Sequence, residues 1–315
     1  MAVPLRLQGN AGKLWFEQVA LPRAAARSGI DVLHVPYWGP PLHASCPVVV
    51  TVHDLAPLVL REHRGSLLVR AYSRLAAASA RRSTVVLADS HYAADEIVRV
   101  LGIPGERVRV APLAAGEEFR PQAAERVQEV RRRYSLPGDL VLYVGGFEWR
   151  KNVALLLKAL ALARECTLAL AGRLPPRSAA APDLRRMAAE LGVQGRCLFL
   201  GPIPAADLPA LYGAATVFAY PSRYEGFGLA PLEAMACGAP VVSSRATSLA
   251  EVVGDAALTF SPDDAQSLAE LLRRLWRDPS ERAKLSARSL SQAAGFSWER
   301  TAEETLEAYR RARAA

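Results

Sequence analysis

The chain has 315 residues, 51% of them hydrophobic and 22% charged, a globular composition with room for two domains of about 150 residues each. Its formal net charge of +8 would suit an anionic partner. The arginines, however, are spread through helical segments rather than clustered with aromatics, so no nucleic acid partner is expected. No window of about 18 residues lacks charged or polar breaks, which argues against a transmembrane helix. The opening MAVPLRLQGNAGKLWFEQ lacks the apolar stretch of a signal peptide. Cys46, Cys166, Cys197 and Cys237 show no C-x-x-C spacing, so neither a zinc site nor a disulfide framework is indicated, and a reducing cytoplasmic setting fits.

In chain order, short β-branched runs alternate with helical patterns. Four candidate strands come first: 31–37, 47–54, 84–90 and 107–112. Six follow: 140–146, 167–172, 197–203, 216–222, 240–244 and 257–261. Near-continuous apolar strands separated by helices point to parallel sheets buried on both faces. Between the two sets, 113–139 reads as a linker followed by an arginine-rich surface helix. The organisation expected is a first domain over 1–115, a second over 116–296 and a terminal helix over 297–315. Six strands complete a doubly wound pattern in the second domain. The first shows only four, and opens without a strand, Gly-rich turn and helix.

Ligands of open α/β sheets bind beyond the carboxyl ends of the strands, so the residues that follow each strand are the candidates. His53 follows 47–54's apolar run. It could act as an acid or base or donate to a phosphate, or merely cap the strand. Ser90 opens the helical HYAADEIVRVLG. The segment GGFEWRKN brings Gly145, Gly146, Arg150 and Lys151 to the start of a helix. Glycines allow close backbone approach, a helix N-terminus offers free N–H groups, and two cations add full charge, so a phosphate or diphosphate is the natural guest. A solvated helix start is the plainer reading.

YPSRYEGFGLAPLEAMACG (220–238) then raises the question of two glutamates in a mostly apolar stretch. Glu225 falls in a loop and Glu233 about one turn inside a helix starting near 228. Carboxylates accept hydrogen bonds only, which suits a hydroxyl-rich guest, while the N–H groups of Gly226 to Leu229 could cover its phosphates. The plainer reading makes both surface charges. No D-x-D, H-E-x-x-H, G-x-S-x-G or G-x-G-x-x-G occurs, so a metal-bridged diphosphate, a serine hydrolase and a dinucleotide dehydrogenase lose support. No metal site is expected.

These segments, LYVGGFEWRKNVALLLKAL, VFAYPSRYEGFGLAPLEAMACGAPVVSS and SLAEVVGDAALTFSPDD, resemble the group 1, family-4 retaining glycosyltransferases. TVHDLAPLV and ADSHYAADEIVRVLGIPGERVRVAPLAAGEEF extend the resemblance through the first half. It implies an α/β GT-B fold, two Rossmann-like doubly wound domains facing a cleft, the N-terminal one incomplete. It further implies a nucleotide-sugar donor, GDP- or UDP-linked, held by the second domain with no further cofactor. Glu233 would hold the ribose, and Glu225 the donor sugar. The backbone of Phe227, Gly228 and Leu229 would lie over sugar and phosphate. Arg150 and Lys151 would neutralise the diphosphate, Gly201 and Ile203 would flank the base, and His53 would serve the donor sugar from the first domain. Ser90 would lie on the acceptor side, and the terminal helix 297–315 would return to pack on the first domain.

Many relatives carry arginine where this chain has Gly146. They also begin with the strand, Gly-rich loop and helix missing here, so an N-terminally truncated form, poorly soluble or inactive, is one expectation. The leading function is retaining, metal-independent transfer of a hexose of the mannose or glucose type to a saccharide or lipid-linked acceptor, in polysaccharide or glycolipid assembly. The alternatives are a catalytically inactive nucleotide-binding subunit or a GT-B sugar-nucleotide epimerase; a phosphorylase would need a cofactor-bearing lysine, and the chain has only Lys13, Lys151, Lys158 and Lys284. Segment 65–83 places Arg70, Arg74, Arg81 and Arg82 on a helix with Leu68, Tyr72 and Leu75, either a peripheral contact at the inner face of the plasma membrane or a helix packed on the sheet with a solvated basic face.

Overall fold

The computed structural model describes residues 9–174 and 181–315. They form two compact units, one comprising the chain up to Pro112 together with Trp298–Ala315, the other Leu113–Ser297. All ten expected strands are present.

In the first unit, β1 (Leu33–Val35), β2 (Val48–Thr51), β3 (Val85–Ala88) and β4 (Val108–Val110) form a parallel sheet in sequential order. Sequential order has a physical consequence. Every crossover steps in one direction, and right-handed crossovers then fall on one face. On that face Val50, Val86 and Ala88 pack with Ala77, Ala80, Ala93 and Ile97 of the connecting segments. Residues of opposite parity, Val49, Val85 and Leu87, need a separate cover. The final helix, Trp298–Ala314, supplies it with Ala308 and Ala312, both fully buried. Small residues on that helix let it lie close to the sheet. Arg109 pairs with Glu304 at 2.8 Å, and His34 Nδ1 lies 2.7 Å from the Tyr309 hydroxyl, fixing the helix along the strands.

In the second unit, β5 (Val141–Val144), β6 (Leu168–Ala171), β7 (Cys197–Gly201), β8 (Val217–Tyr220), β9 (Val241–Ser244) and β10 (Leu258–Phe260) are parallel, in the order β7-β6-β5-β8-β9-β10. Counted from β5, this is the doubly wound order 3-2-1-4-5-6, whose direction of winding reverses between β5 and β8. The four central strands are buried almost throughout, between helices on both faces, while the edge strands β7 and β10 are mostly half-buried. The reversal leaves a crevice beyond the carboxyl ends of β5 and β8, where connections depart to opposite faces.

Among the described residues, no helix is long and apolar enough to cross a membrane.

Candidate active site

The segments that leave β5 and β8 meet at the switch point. After β5, Trp149–Lys151 forms a short 3-10 turn, and the helix Val153–Leu162 begins only beyond Asn152. Arg150 and Lys151 therefore precede the helix rather than opening it. The cause is Asn152, which takes the left-handed conformation at φ 55° and breaks the helical run. Its amide nitrogen donates to the carbonyls of Pro221 at 3.1 Å and Pro262 at 2.8 Å, which holds a conformation that asparagine tolerates better than most residues.

After β8, residues 221–228 form a loop pinned by hydroxyls. Ser222 Oγ donates to Arg150 O at 3.0 Å, and Ser244 Oγ donates to Ser222 O. The Glu225 amide donates to Thr247 Oγ1 at 3.0 Å, and Ser248 Oγ bridges the carbonyls of Glu225 (2.8 Å) and Phe227 (2.6 Å). Thr247 is itself left-handed at φ 53°, a costly conformation for a β-branched residue. Phe227 turns its ring inward against Phe296, leaving only its backbone for a ligand. Gly228 at φ 125° begins the helix Leu229–Ala236; a Cβ there would stand 2.7 Å from Leu249 Cδ2.

Three expected site residues are in direct contact. Lys151 Nζ lies 2.7 Å from Glu225 Oε1, and Arg150 Nη1 lies 3.0 Å from Glu225 Oε2. Tyr220 joins them, accepting from Lys151 Nζ and donating to Glu225 Oε1, each at 3.0 Å. Burial pushes the Glu225 carboxyl up, but Lys151 and Arg150 outweigh it and hold it below the ordinary carboxylate value. Glu225 is thus ionised, and two cations share its charge.

Glu233, on the helix Leu229–Ala236, accepts from the Tyr212 hydroxyl at 2.9 Å. Burial raises it to about 7; the Tyr212 bond opposes the rise and the charge of Glu118 adds to it. The rings of Tyr212, Phe218 and Tyr220 pack in succession at centroid distances of 5.3 and 6.0 Å, so one aromatic row supports both glutamates.

The glycines cluster at neighbouring strand ends. Gly145 N donates to Ala171 O at 3.0 Å and Gly172 N to Gly201 O at 2.8 Å. A Cβ on Gly172 would come within 2.0 Å of Gly145 O, so no other residue fits. Gly146 O accepts from the Tyr143 hydroxyl. Ile203 lies two residues past β7, packed partly on the core.

In the first unit, His53 follows β2 and Asp89 follows β3. His53 Nδ1 lies 2.7 Å from Asp89 Oδ2, and Nε2 lies 3.2 Å from Pro36 O. The Asp89 hydrogen bond raises the His53 pKa against the opposing effect of burial. Ser90 accepts from Ala93 N at 3.0 Å and is the N-cap of the helix His91–Glu96, so its oxygen has a structural use there.

With this geometry established, comparison with known proteins decides the family. The model for glycosyl transferases group 1 matches residues 128–292, and that for glycosyltransferase family 4 matches residues 2–115. O-antigen chain mannosyltransferase B of Escherichia coli is 35% identical over 295 residues, covering 92% of this chain and 77% of that protein. The chain belongs to the group 1, family-4 glycosyltransferases. Serotype-specific mannosyltransferase WbdA of Escherichia coli is 34% identical over 272 residues; the match covers 84% of this chain and 33% of that protein. Sucrose-phosphate synthase from Thermosynechococcus elongatus superposes with a TM-score of 0.79 at 25% identity, over 95% of this chain and 77% of that one. The fold of this glycosyltransferase is accordingly α/β GT-B, built from the two parallel sheets described above.

Several residues that build the site gave no signal in the sequence. Tyr212, Tyr220, Thr247, Ser248 and Asp89 belong to no motif that marks them out. Only Asn152 carried a hint, since asparagine after a basic pair is a good left-handed residue.

The raised Glu233 gives a stability signature. The folded chain keeps this proton up to about pH 7, whereas an unfolded glutamate loses it near 4.5. Its stabilising contribution is therefore full below 4.5 and lost as pH rises through 7. Glu233→Gln should gain on the parent by roughly 2–3 kcal/mol between about pH 5 and pH 8, read from urea unfolding of both proteins. A difference that stays constant over this range would show that Glu233 titrates normally.

Proposed function

We propose that this glycosyltransferase moves a hexose, mannose foremost, from a nucleotide-diphosphate sugar to a saccharide or lipid-linked acceptor, with retention and without a metal. The observation that carries the reading is the meeting of Arg150 and Lys151 on Glu225 at the switch point. Two cations against one carboxylate leave the trio with a formal charge of +1, in a setting where Lys151 and Arg150 side chains are only 12% and 19% exposed. A diphosphate would find an excess of positive charge there. The mannosyltransferase names of two Escherichia coli relatives favour mannose, and hence a GDP-linked donor over a UDP-linked one.

Each residue then has a role. Breaking the bond from sugar to phosphate builds positive charge on the sugar and negative charge on the leaving diphosphate. Lys151, Arg150 and the backbone N–H groups at the start of the helix Leu229–Ala236 stabilise the latter. Glu225, released from its cations by the incoming phosphates, accepts hydrogen bonds from the donor sugar. Glu233 does so from the ribose, with Tyr212 holding its other side. The backbone of Gly226 to Leu229 and of Gly145 and Gly146 approaches the donor closely, and Gly201 to Ile203 border the base. His53 serves the donor sugar, and Ser90 lies toward the acceptor.

We propose also that the protein touches an anionic membrane surface. Leu67 and Leu68 open the helix Leu67–Arg82 with exposures of 79% and 77%, above a groove of about 460 Å³ lined by Leu14, Val69, Tyr72 and Leu75 among others. Arg64, Arg70 and Arg74 are exposed around them. Arg81 donates instead to Leu101 O at 2.6 Å and Arg82 contacts His43, so these two serve the fold.

Calorimetry with GDP and with UDP, beside hydrolysis assays on GDP-mannose and UDP-glucose, tests the main reading. Binding with turnover is expected. Lys151→Ala should lower turnover about 10²–10³-fold, the loss typical of one transition-state donor. Binding without turnover of either donor, or a variant within about threefold of the parent, would contradict it. For the membrane, the protein should sediment with phosphatidylcholine vesicles only when phosphatidylglycerol is included, and Leu67→Asp with Leu68→Asp should abolish this. Equal sedimentation with both vesicle types, or with neither, would remove the lipid surface as a partner.

A further inference from the structure

We propose that Asp89 is a positioning residue that fixes the His53 ring as a doubly protonated hydrogen-bond donor, so that His53 meets its ligand as a cation and never as a base. The inference rests on the donor-side role given to His53 above, but the geometry beneath it stands alone.

β2 and β3 are parallel neighbours with Thr51 opposite Leu87. Two residues further along each strand come His53 and Asp89. A period of two returns both to the same side of the sheet. Their 2.7 Å contact is therefore a product of strand register, continued past the strand ends by the bond from Val52 N to Leu87 O at 2.9 Å. Asp89 is 3% exposed, while the His53 side chain is 50% exposed. A buried carboxylate holds one end of a ring whose other end reaches solvent.

Both partners of the ring accept only. An ionised carboxylate has no proton to give, and neither has the Pro36 carbonyl, 3.2 Å from Nε2. A neutral imidazole carries one N–H and can satisfy one of them. The imidazolium satisfies both. In a Ser-His-Asp arrangement, Nε2 must be a bare acceptor to take a proton. Here it faces a carbonyl oxygen, the partner that excludes this use. The long Nε2 contact is the weaker of the two, and a sugar hydroxyl or phosphate oxygen could take its place.

The other titratable groups facing the ring agree. Asp54, the next residue, adds to the attraction for a proton. His34, on the neighbouring β1, is lowered by burial and by the charge of His53. It is occupied by Tyr309 and by Thr51 Oγ1 at 2.9 Å, so it does not compete as a second cation.

The test uses the full chain with isotope-labelled histidine. Ring nitrogen shifts of His53 should report an imidazolium at neutral pH and titration above the ordinary histidine value of about 6.5. Asp89→Asn should bring that titration down by about one pH unit or more. In parallel, the alkaline limb of kcat/KM for the donor should move to lower pH by a similar amount in Asp89→Asn. A neutral-ring spectrum in the parent at pH 7 overturns the proposal, and this reading needs no variant if Asp89→Asn fails to fold. His53 titrating identically in parent and variant overturns it as well. A shifted titration with an unmoved kinetic limb would uphold the Asp89–His53 pair but overturn the role of His53 in transfer. Absence of turnover with any donor would fall on the proposed function alone, as the spectra would still decide the state of the ring.

Discussion

The structure of the second unit depends on keeping one ionised carboxylate inside the protein. Burying Glu225 costs several kcal/mol, and the cost is offset only where cations and hydrogen-bond donors are placed with good geometry. Lys151, Arg150 and Tyr220 provide that placement. Holding them there involves left-handed backbone at Asn152 on one side, which asparagine tolerates, and at Thr247 on the other, where a β-branched residue is strained. Strain of this kind persists where surrounding packing over-determines it, and it concentrates at functional sites. The doubly wound order explains why this happens between β5 and β8. There two neighbouring strands begin windings that run away from each other, one toward β7 and one toward β10.

Such a cluster is poised for exchange. A carboxylate that already balances two cations can yield them to an incoming anion and turn to hydroxyl groups instead. The cations that would receive the anion are then already in place and already largely out of water. The neighbouring Glu233 follows a different physics. It has a tyrosine rather than a cation beside it, so burial dominates and its proton is held to about pH 7. Two carboxylates eight positions apart thus differ in ionisation because one faces cations and the other does not.

Much of this was legible in the sequence. The ten strands were readable because buried parallel strands are short, mostly apolar runs, and here they alternate with helical patterns. The residue types of the site were readable from their position after strands. What the sequence could not show was long-range pairing. That Glu225 would meet Lys151 depends on β5 lying next to β8, which brings together residues 74 positions apart in the chain. That Asp89 would meet His53 depends on strand register. The helix start near Arg150 was placed too early because a left-handed asparagine looks like any polar residue in a helical run. The return of the final helix to the first unit was implied by the family resemblance, whereas the residues that make the contact, Ala308 and Ala312, look like any small residues on a charged helix.

The central claim is that the diphosphate of a nucleotide takes the cations now held by Glu225. A structure of the full chain with GDP, or with UDP if that is the nucleotide bound, tests it most directly. The account predicts phosphate oxygens within hydrogen-bond distance of Lys151 Nζ and Arg150, with the Lys151–Glu225 contact opened. A nucleotide bound elsewhere, with Lys151, Arg150 and Glu225 still paired as they are, would contradict it.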